Sequence, residues 1–125
     1  MNTTLSVRAP YSILLIMDFE FGEVPENFFG QPCAIANSCI AVATMSADDG
    51  ATKVLFTDDA SAIGNSLIQL YTGVLDTPSK VVSLANAHNE QLATASVGAT
   101  NVRIQVLANV MREPSEIVVF VQRTE

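Results

Sequence analysis

Residues 99–109 read Ala-Thr-Asn-Val-Arg-Ile-Gln-Val-Leu-Ala-Asn, and this stretch decides the fold class. Successive side chains of an extended chain point to opposite sides, so alternate residues share a face. One face of this stretch is then apolar and is formed by Val102, Ile104, Val106 and Ala108. The opposite face is polar apart from Leu107, whereas helical spacing would scatter the apolar side chains around a cylinder. The alternation therefore predicts a strand with one buried face.

The segments on either side of this strand predict further strands separated by turn residues. Residues 11–21 alternate up to Gly22 and predict a strand that starts in the core and runs out to solvent, after a polar lead-in over residues 1–10. Further strands are predicted at residues 40–46, 52–57, 66–75, 80–85, 91–97, 102–108 and 117–121. We therefore expect one all-β domain over residues 1–125, an antiparallel β-sandwich of about eight strands.

Three local signals refine this expectation. The alanine content of the segment before Ile40 permits one short helix near residues 26–38. The turn signal Asp-Asp-Gly at residues 48–50 predicts a hairpin between the strands at 40–46 and 52–57. Gly73, inside a predicted strand, indicates a bulge or a close backbone approach.

The composition is poor in charge. The chain has 125 residues and a charged fraction of 15%, against about 25% in an average globular domain. A surface with so few lysines and glutamates is often covered by another chain. We therefore expect a homo-oligomer or a protein with an obligate partner.

The sign of the charge excludes some partners. A net charge of -7 argues against binding to nucleic acid or to an anionic membrane, since both attract basic surfaces. The acidity is uneven, because residues 1–76 hold nine carboxylates and only two bases, Arg8 and Lys53. No targeting segment or long apolar run is evident, so the expected location is the cytoplasm.

No constellation of residues in the sequence predicts catalysis or a cofactor. Nucleophilic catalysis needs a base beside the nucleophile, and the single histidine, His88, lies in a polar turn. Cys33 and Cys39 with one distant histidine fall short of a four-ligand zinc site. We expect these two cysteines to be reduced core residues, with a disulfide as the alternative. The prediction is a protein without enzymatic activity or cofactor.

Two aspartate pairs raise the question of calcium. Asp48-Asp49 and Asp58-Asp59 flank the strand predicted at residues 52–57, and six residues of strand span about 20 Å. The two pairs therefore cannot share an ion, and one pair supplies too few oxygen ligands for calcium. We predict no metal site.

The loop at residues 23–32 is the main candidate for binding, because it combines carboxylates with Phe28 and Phe29. Its two rings either plug one end of the core, from a helical turn at residues 26–29, or leave one ring exposed as a binding anchor. Loops of a sandwich cluster at two ends, so at least one aspartate pair should lie near this loop. These carboxylates either keep the protein in solution or form a patch that docks on a basic partner. The predicted partner-binding residues are Glu23, Glu26, Phe28, Phe29, Asp48, Asp49, Asp58 and Asp59.

The order of segments also carries a family resemblance. It includes Val-Pro-Glu-Asn-Phe-Phe at residues 24–29, Ile-Ala-Val-Ala-Thr at 40–44, Lys-Val-Leu-Phe at 53–56 and Val-Arg-Ile-Gln-Val at 102–106. This pattern, over most of the chain, resembles the competence-associated inhibitor of the bacterial DNA-entry nuclease and the small domains similar to it. The resemblance implies a non-enzymatic, protein-binding role and carries over no site residue.

An inhibitor or immunity-type protein that occludes a basic partner such as a nuclease is consistent with these observations, because a nuclease has a basic substrate site. The alternative is a structural or shell-forming subunit of a virion or appendage. Low charge and a high content of alanine, serine and threonine suit close packing between identical chains.

Overall fold

The alternating face of residues 99–109 lies between two β-sheets in the computed structural model, which describes residues 2–122. Sheet I has the strand order β1-β5-β10-β9-β6, and sheet II has the order β3-β4-β2-β7-β8. The strands are β1 (Asn2–Val7), β2 (Ile13–Met17), β3 (Cys33–Ala36), β4 (Cys39–Ala43), β5 (Thr52–Thr57), β6 (Ile68–Asp76), β7 (Val81–Asn86), β8 (Gln91–Ser96), β9 (Asn101–Ala108) and β10 (Glu116–Gln122). The all-β sandwich is thus confirmed, with ten strands in these residues.

All neighbouring strands are antiparallel except one pair. β10 lies in the middle of sheet I, where it runs parallel to β5 and antiparallel to β9. The apolar run Ile117–Val121 forms this strand, and Val118 on its outer face is buried as well. Ala62 and Leu67, from the connection between β5 and β6, border the same hollow as Val118. That connection explains why the run is apolar on both faces.

The main core lies between the sheets and includes Phe56, Leu14, Ile16, Ile104 and Ile117, all fully buried. A second apolar cluster lies on the outer face of sheet II, because the alternate residues of β2 point away from the main core. Its buried members are Leu15, Met17, Ala34, Cys39, Ala41 and Ala85, and Phe19 and Phe28 pack against it. A strand with two apolar faces therefore needs a covering on each side.

The predicted polar lead-in over residues 1–10 is wrong, because these residues contain β1. The strand pairs with β5 from Asn2 opposite Thr57 to Val7 opposite Thr52. Its inward residues include only one large apolar side chain, Leu5, beside a threonine and a valine. That weak alternation hides the strand in the sequence.

The first predicted strand, residues 11–21, is too long at both ends. Residues 10–12 form a short 3₁₀ turn in which Tyr11 and Ser12 have φ angles of 57° and 58°. At the other end, β2 stops at Met17 because the Asp18 side chain accepts hydrogen bonds from the next residues of the chain. The residues after Met17, which were predicted to continue the strand out to solvent, form a turn instead.

The short helix expected near residues 26–38 is absent. β3 occupies Cys33–Ala36 and pairs with β4 across the two-residue connection Asn37-Ser38. Apart from two 3₁₀ turns, Pro10–Ser12 and Ala60–Ala62, residues 2–122 contain no helix. Pairing with β4 buries Cys33 and Ala34 on opposite faces of sheet II, and this burial overrides the helical preference of alanine.

The hairpin predicted between residues 40–46 and 52–57 is also wrong. β4 belongs to sheet II and β5 to sheet I, so the Asp48-Asp49-Gly50 segment connects the two sheets. Gly50 adopts a φ of 142°, which suits glycine. Turn chemistry predicts a change of direction and does not predict which sheet the next strand joins.

Gly73 in β6 leaves room for a neighbouring side chain. The register shift between β6 and β9 lies between Gln69 and Tyr71, before the glycine. A Cβ atom at position 73 would collide with the hydroxyl of Tyr71. The close approach at this glycine is therefore made by the Tyr71 ring.

No helical segment within residues 2–122 has the length and apolarity that a membrane-spanning helix needs.

Candidate partner-binding surface

Each end of the sandwich gathers a different set of loops. At one end, the Asp18 N–H donates to the Ser38 carbonyl oxygen at 3.1 Å, which joins the end of β2 to the β3–β4 turn. At the opposite end, the Met45 N–H donates to the Pro114 carbonyl oxygen at 3.1 Å, which joins the connections that follow β4 and β9. We call these the Asp18 end and the Asp48 end.

Asp18 anchors the chain between β2 and β3, residues 18–32, which we call the acidic loop. Its Oδ1 accepts hydrogen bonds from the N–H groups of Glu20 at 3.1 Å and Phe21 at 3.0 Å. Its Oδ2 accepts one from the N–H of Ser79 at 2.8 Å, in the turn between β6 and β7. One buried carboxylate thus fixes the start of the acidic loop to both a neighbouring turn and the end of β2.

Two opposing effects act on the ionisation of Asp18. Burial raises the pKa of its carboxyl group, and the hydrogen bonds from Ser79, Phe21 and Glu20 lower it. The bonds prevail, so the pKa lies below the ordinary value of 3.8. The carboxylate is therefore the form that the folded protein favours.

Gly22 allows the acidic loop to turn tightly after Asp18. The Gly22 N–H donates to the Asp18 carbonyl oxygen at 2.6 Å. A Cβ atom at position 22 would overlap that oxygen and would lie 2.8 Å from the Ser38 carbonyl oxygen. Only glycine fits between these two backbone groups.

The two adjacent phenylalanines of the acidic loop have different environments. Phe28 is half-buried and packs against the outer cluster of sheet II, so it does not plug the end of the main core. Phe29 is 83% exposed and has a φ of 52°, a conformation that bulky residues rarely adopt. The Asn27 side chain accepts a hydrogen bond from the Phe29 N–H at 2.8 Å and holds this turn. Phe29 is thus the ring presented to solvent.

The carboxylates of the acidic loop precede this ring in the sequence. Glu20, Glu23 and Glu26 are all exposed, as are the apolar side chains of Phe21 and Val24. The sequence singled out Glu23, Glu26 and the two rings, and it did not single out Phe21 or Val24. The exposure of Phe21 could not be foreseen, because Phe21 continues an alternating pattern in the sequence that the Asp18 turn interrupts.

Asp48 and Asp49 lie at the Asp48 end, away from the start of the acidic loop. Both are exposed, and their N–H groups donate to the Oγ and the carbonyl oxygen of Ser46, at 3.2 Å and 3.0 Å. Arg8 donates to the Ala47 carbonyl oxygen at 2.6 Å beside them. This aspartate pair is therefore part of an ordered turn to which a base, Arg8, is bound.

Asp58 and Asp59 follow β5 at the Asp18 end, where β6 also ends. Asp58 is half-buried. Asp59 caps the second 3₁₀ turn, because its Oδ1 accepts hydrogen bonds from the Ser61 N–H at 3.0 Å and the Ser61 hydroxyl at 2.7 Å. These bonds hold the pKa of Asp59 below its usual value. The structure therefore gives this pair a local role in the turn after β5.

The structure thus divides the predicted binding residues. Glu23, Glu26 and Phe29 lie exposed on one loop, and Phe28 supports that loop from below. The aspartate pairs lie at opposite ends of β5, one at each end of the sandwich. That all of these residues act together in binding stays a prediction.

The two cysteines cannot form a disulfide with each other in this fold. Cys33 belongs to the main core, and Cys39 belongs to the outer cluster of sheet II. Both are free and buried, and burial raises the pKa of each thiol to about 12. The prediction of reduced core residues is confirmed.

His88 is exposed in the turn between β7 and β8, with its ring centroid 5.7 Å from that of Tyr11. Within residues 2–122, no three histidine, cysteine or carboxylate side chains come together as a metal site would require. His88 thus makes an aromatic contact with Tyr11 at the surface.

These features define a two-sheet β-sandwich with an acidic loop that Asp18 anchors and on which Phe29 and other apolar side chains are exposed. The crystal structure of ComJ, inhibitor of the DNA degrading activity of NucA, from Bacillus subtilis, has this fold, with a TM-score of 0.72 to the present chain. The match covers 99% of this chain and 96% of ComJ, at 10% sequence identity. The predicted resemblance is thus confirmed in the fold, and this structural neighbour is an enzyme inhibitor. No family model and no curated protein matches the sequence.

Proposed function

We propose that this chain is a non-enzymatic inhibitor that binds a nuclease in the cytoplasm and covers its basic substrate site. The observation that carries the proposal is the acidic loop, which presents exposed glutamates and the exposed Phe29 on the fold of ComJ, with Glu26 and Phe29 lining one hollow. An exposed aromatic ring can act as the apolar anchor of an interface, and the carboxylates of the same loop would replace the phosphates of DNA.

The distribution of charge supports a basic partner. Residues 9–52 contain six carboxylates and neither lysine nor arginine. A protein surface that binds DNA is rich in lysine and arginine, so an acidic loop is complementary to it. The proposed contact residues are Glu23, Glu26 and Phe29, with Phe28 as their support. The aspartate pairs at 48–49 and 58–59 would add to the negative field that attracts the partner.

The test is an assay of DNA degradation by NucA, with this chain added in increasing amounts and ComJ as the positive control. We expect degradation to fall to background near an equimolar ratio. Phe29→Ala should weaken inhibition by about tenfold or more, as loss of an interface anchor does. Val74→Ala removes an exposed apolar side chain from β6 and should leave inhibition unchanged. Full nuclease activity at a large molar excess of this chain would contradict the proposal.

Self-association remains part of the proposal because the charged fraction of 15% is low. A discrete small homo-oligomer in light scattering is consistent with an inhibitor. Large closed or open assemblies would favour the structural alternative.

A further inference from the structure

We infer that the partner pairs an extended segment of its chain with the free edge of β3, beside the acidic loop. This inference rests on the proposed function, since it states which part of the surface the bound nuclease occupies. It is carried by the backbone of β3, by Ile35 and Phe29, and by the charge around them.

The backbone of β3 has hydrogen-bonding groups that face away from the sheet. The Ala43 N–H donates to the Pro32 carbonyl oxygen at 3.0 Å, in register with the pairing of β3 and β4. Bonded pairs alternate along an antiparallel ladder, so the bonds to β4 fall on every second residue from Pro32 onward. The N–H and C=O groups of Cys33 and Ile35 then point to the open edge. No backbone hydrogen bond from other elements of residues 2–122 reaches either residue.

The side chains beside this edge are apolar and uncovered. Ile35 shares a face with Cys33, which lies in the main core, yet Ile35 is 46% exposed because it lies at the rim of the sandwich. Ile35, Phe29 and Pro25 line an open hollow of about 540 Å³ between the acidic loop and the strand. Ile35 is therefore an inward-facing residue that lacks a covering.

A second hollow lies at the other end of β3. It has a volume of about 420 Å³ and is lined by Gly30 and Pro32, which precede the strand, together with Met111 and Arg112. The free edge of β3 thus runs from one hollow to the other. An added strand places alternate side chains on the same face, and these could enter the two hollows.

The charge beside the edge specifies the occupant. Glu26 lines the first hollow, which has no lysine or arginine in its lining, whereas the second hollow is lined by both Arg112 and Glu113. The fitting segment is therefore extended, with an apolar side chain for the space between Phe29 and Ile35 and a lysine or arginine next to it. Main-chain pairing supplies affinity in this mode, and the hollows supply selectivity.

Amide hydrogen exchange, followed by NMR on the labelled chain with and without NucA, tests the inference. We expect the amides of Cys33 and Ile35 to exchange freely in the free protein and slowly in the complex. Thr94 in β8, at the opposite edge of sheet II, is the internal control. The Val97 N–H donates to the Lys80 carbonyl oxygen in register with the pairing of β7 and β8, so the Thr94 N–H, three residues earlier, faces away from β7. Its exchange should be the same in both states.

A matched pair of variants gives a second measurement. Ile35→Pro removes an edge N–H that makes no bond to β4, and Thr94→Pro does the same on the free edge of β8. Inhibition of NucA should weaken by about tenfold for Ile35→Pro, as loss of a backbone hydrogen bond and an apolar contact predicts, and should not change for Thr94→Pro. Thermal melting of both variants checks that they fold, and the exchange experiment decides if either does not.

The outcomes separate the two proposals. A complex in which Cys33 and Ile35 exchange as fast as in the free protein overturns the edge-pairing inference and leaves the inhibitor function standing. Absence of both complex and inhibition overturns the proposed function and this inference with it.

Discussion

Asp18 shows how a single side chain can position a long loop. Its carboxylate receives N–H groups from both the acidic loop and the turn between β6 and β7. We expect Asp18→Asn to lower the free energy of unfolding by about 1–3 kcal/mol, because a buried acceptor to charge-assisted bonds is weakened. Urea unfolding measures the change. Asp76→Asn, an exposed aspartate at the same end, is the control and should have little effect.

The same residue makes stability depend on pH. The pKa of Asp18 is lower in the folded protein than its ordinary value of 3.8. Its stabilising contribution is therefore complete above that value and is lost as the pH falls below it toward the folded pKa. Acid unfolding of the wild type should lose this contribution below about pH 4, and Asp18→Asn should show a shallower dependence there. Parallel curves for the two proteins would contradict the assignment.

The buried cysteines give a second prediction for single residues. Their pKa values of about 12 leave almost no thiolate at neutral pH, and the sheet separates the two sulfur atoms. A thiol reagent should therefore modify neither cysteine in the native protein and both after unfolding. Ser96→Cys places a thiol at an exposed position and should react at once. Rapid modification of Cys33 or Cys39 in the native state would argue against the burial described for them.

The different fates of Phe28 and Phe29 mark the limit of sequence reasoning at this scale. Both rings were plausible anchors from the sequence, since neighbouring residues in an irregular loop have no periodic pattern. Which ring packs depends on the left-handed turn at Phe29 and on its bond to Asn27. Such a turn, held by a side chain two residues earlier, has no strong signature in composition.

Among the secondary-structure elements, β9 offers the strongest test of the fold. Ile104 lies in the main core, and Arg103 is exposed on the outer face of sheet I. We expect Ile104→Asp to unfold the protein, because an unpaired buried charge costs several kcal/mol. Arg103→Ile should keep the β-sheet signal and the melting temperature, as followed by circular dichroism. Equal tolerance of both substitutions would mean that the strand faces are assigned wrongly.

Strands with a strong pattern were predictable, and strands with a weak one were not. β5 to β10 agree closely with the predicted segments, because each alternates clearly or is continuously apolar. β1 and β3 were missed, because small side chains and threonine do not distinguish a strand from a loop or a helix. β3 is only four residues long and is defined by its pairing with β4. Pairing between strands is a tertiary property that a single segment does not encode.

For the whole molecule, the proposed function predicts that electrostatic steering makes the rate of association with a nuclease depend on salt. Between low and physiological salt, stopped-flow association with NucA should slow markedly, since steering by an acidic surface is screened. Glu23→Lys combined with Glu26→Lys should slow association and weaken its salt dependence. Glu90→Lys combined with Glu116→Lys changes the net charge equally, on residues outside the acidic loop, and should have a smaller effect. Equal effects of the two pairs would mean that net charge acts and that the loop does not.

The acidic loop was foreseen from its composition, and its surroundings were not. Uneven charge and two adjacent rings identified Glu23, Glu26 and the phenylalanines in the sequence. The free edge of β3 and the exposed Ile35 came only with the sheet order, which places β3 at the rim of sheet II. Sequence patterns thus identified the glutamates and phenylalanines of the acidic loop, and topology identified the free edge and the exposed Ile35 beside it.

The central position of β10 has a consequence for how the protein is made. Within residues 2–122, synthesis delivers β1, β5, β6 and β9 before β10, yet the pair β1–β5 and the pair β6–β9 touch each other in sheet I only through β10. The nascent chain therefore exposes two unjoined halves of sheet I until β10 has left the ribosome. Folding of sheet I waits for β10 and must join residues far apart in the chain, which is a slow process. A nonsense mutation before β10 would leave two unjoined halves with open edges, so early termination should yield aggregates and no folded protein.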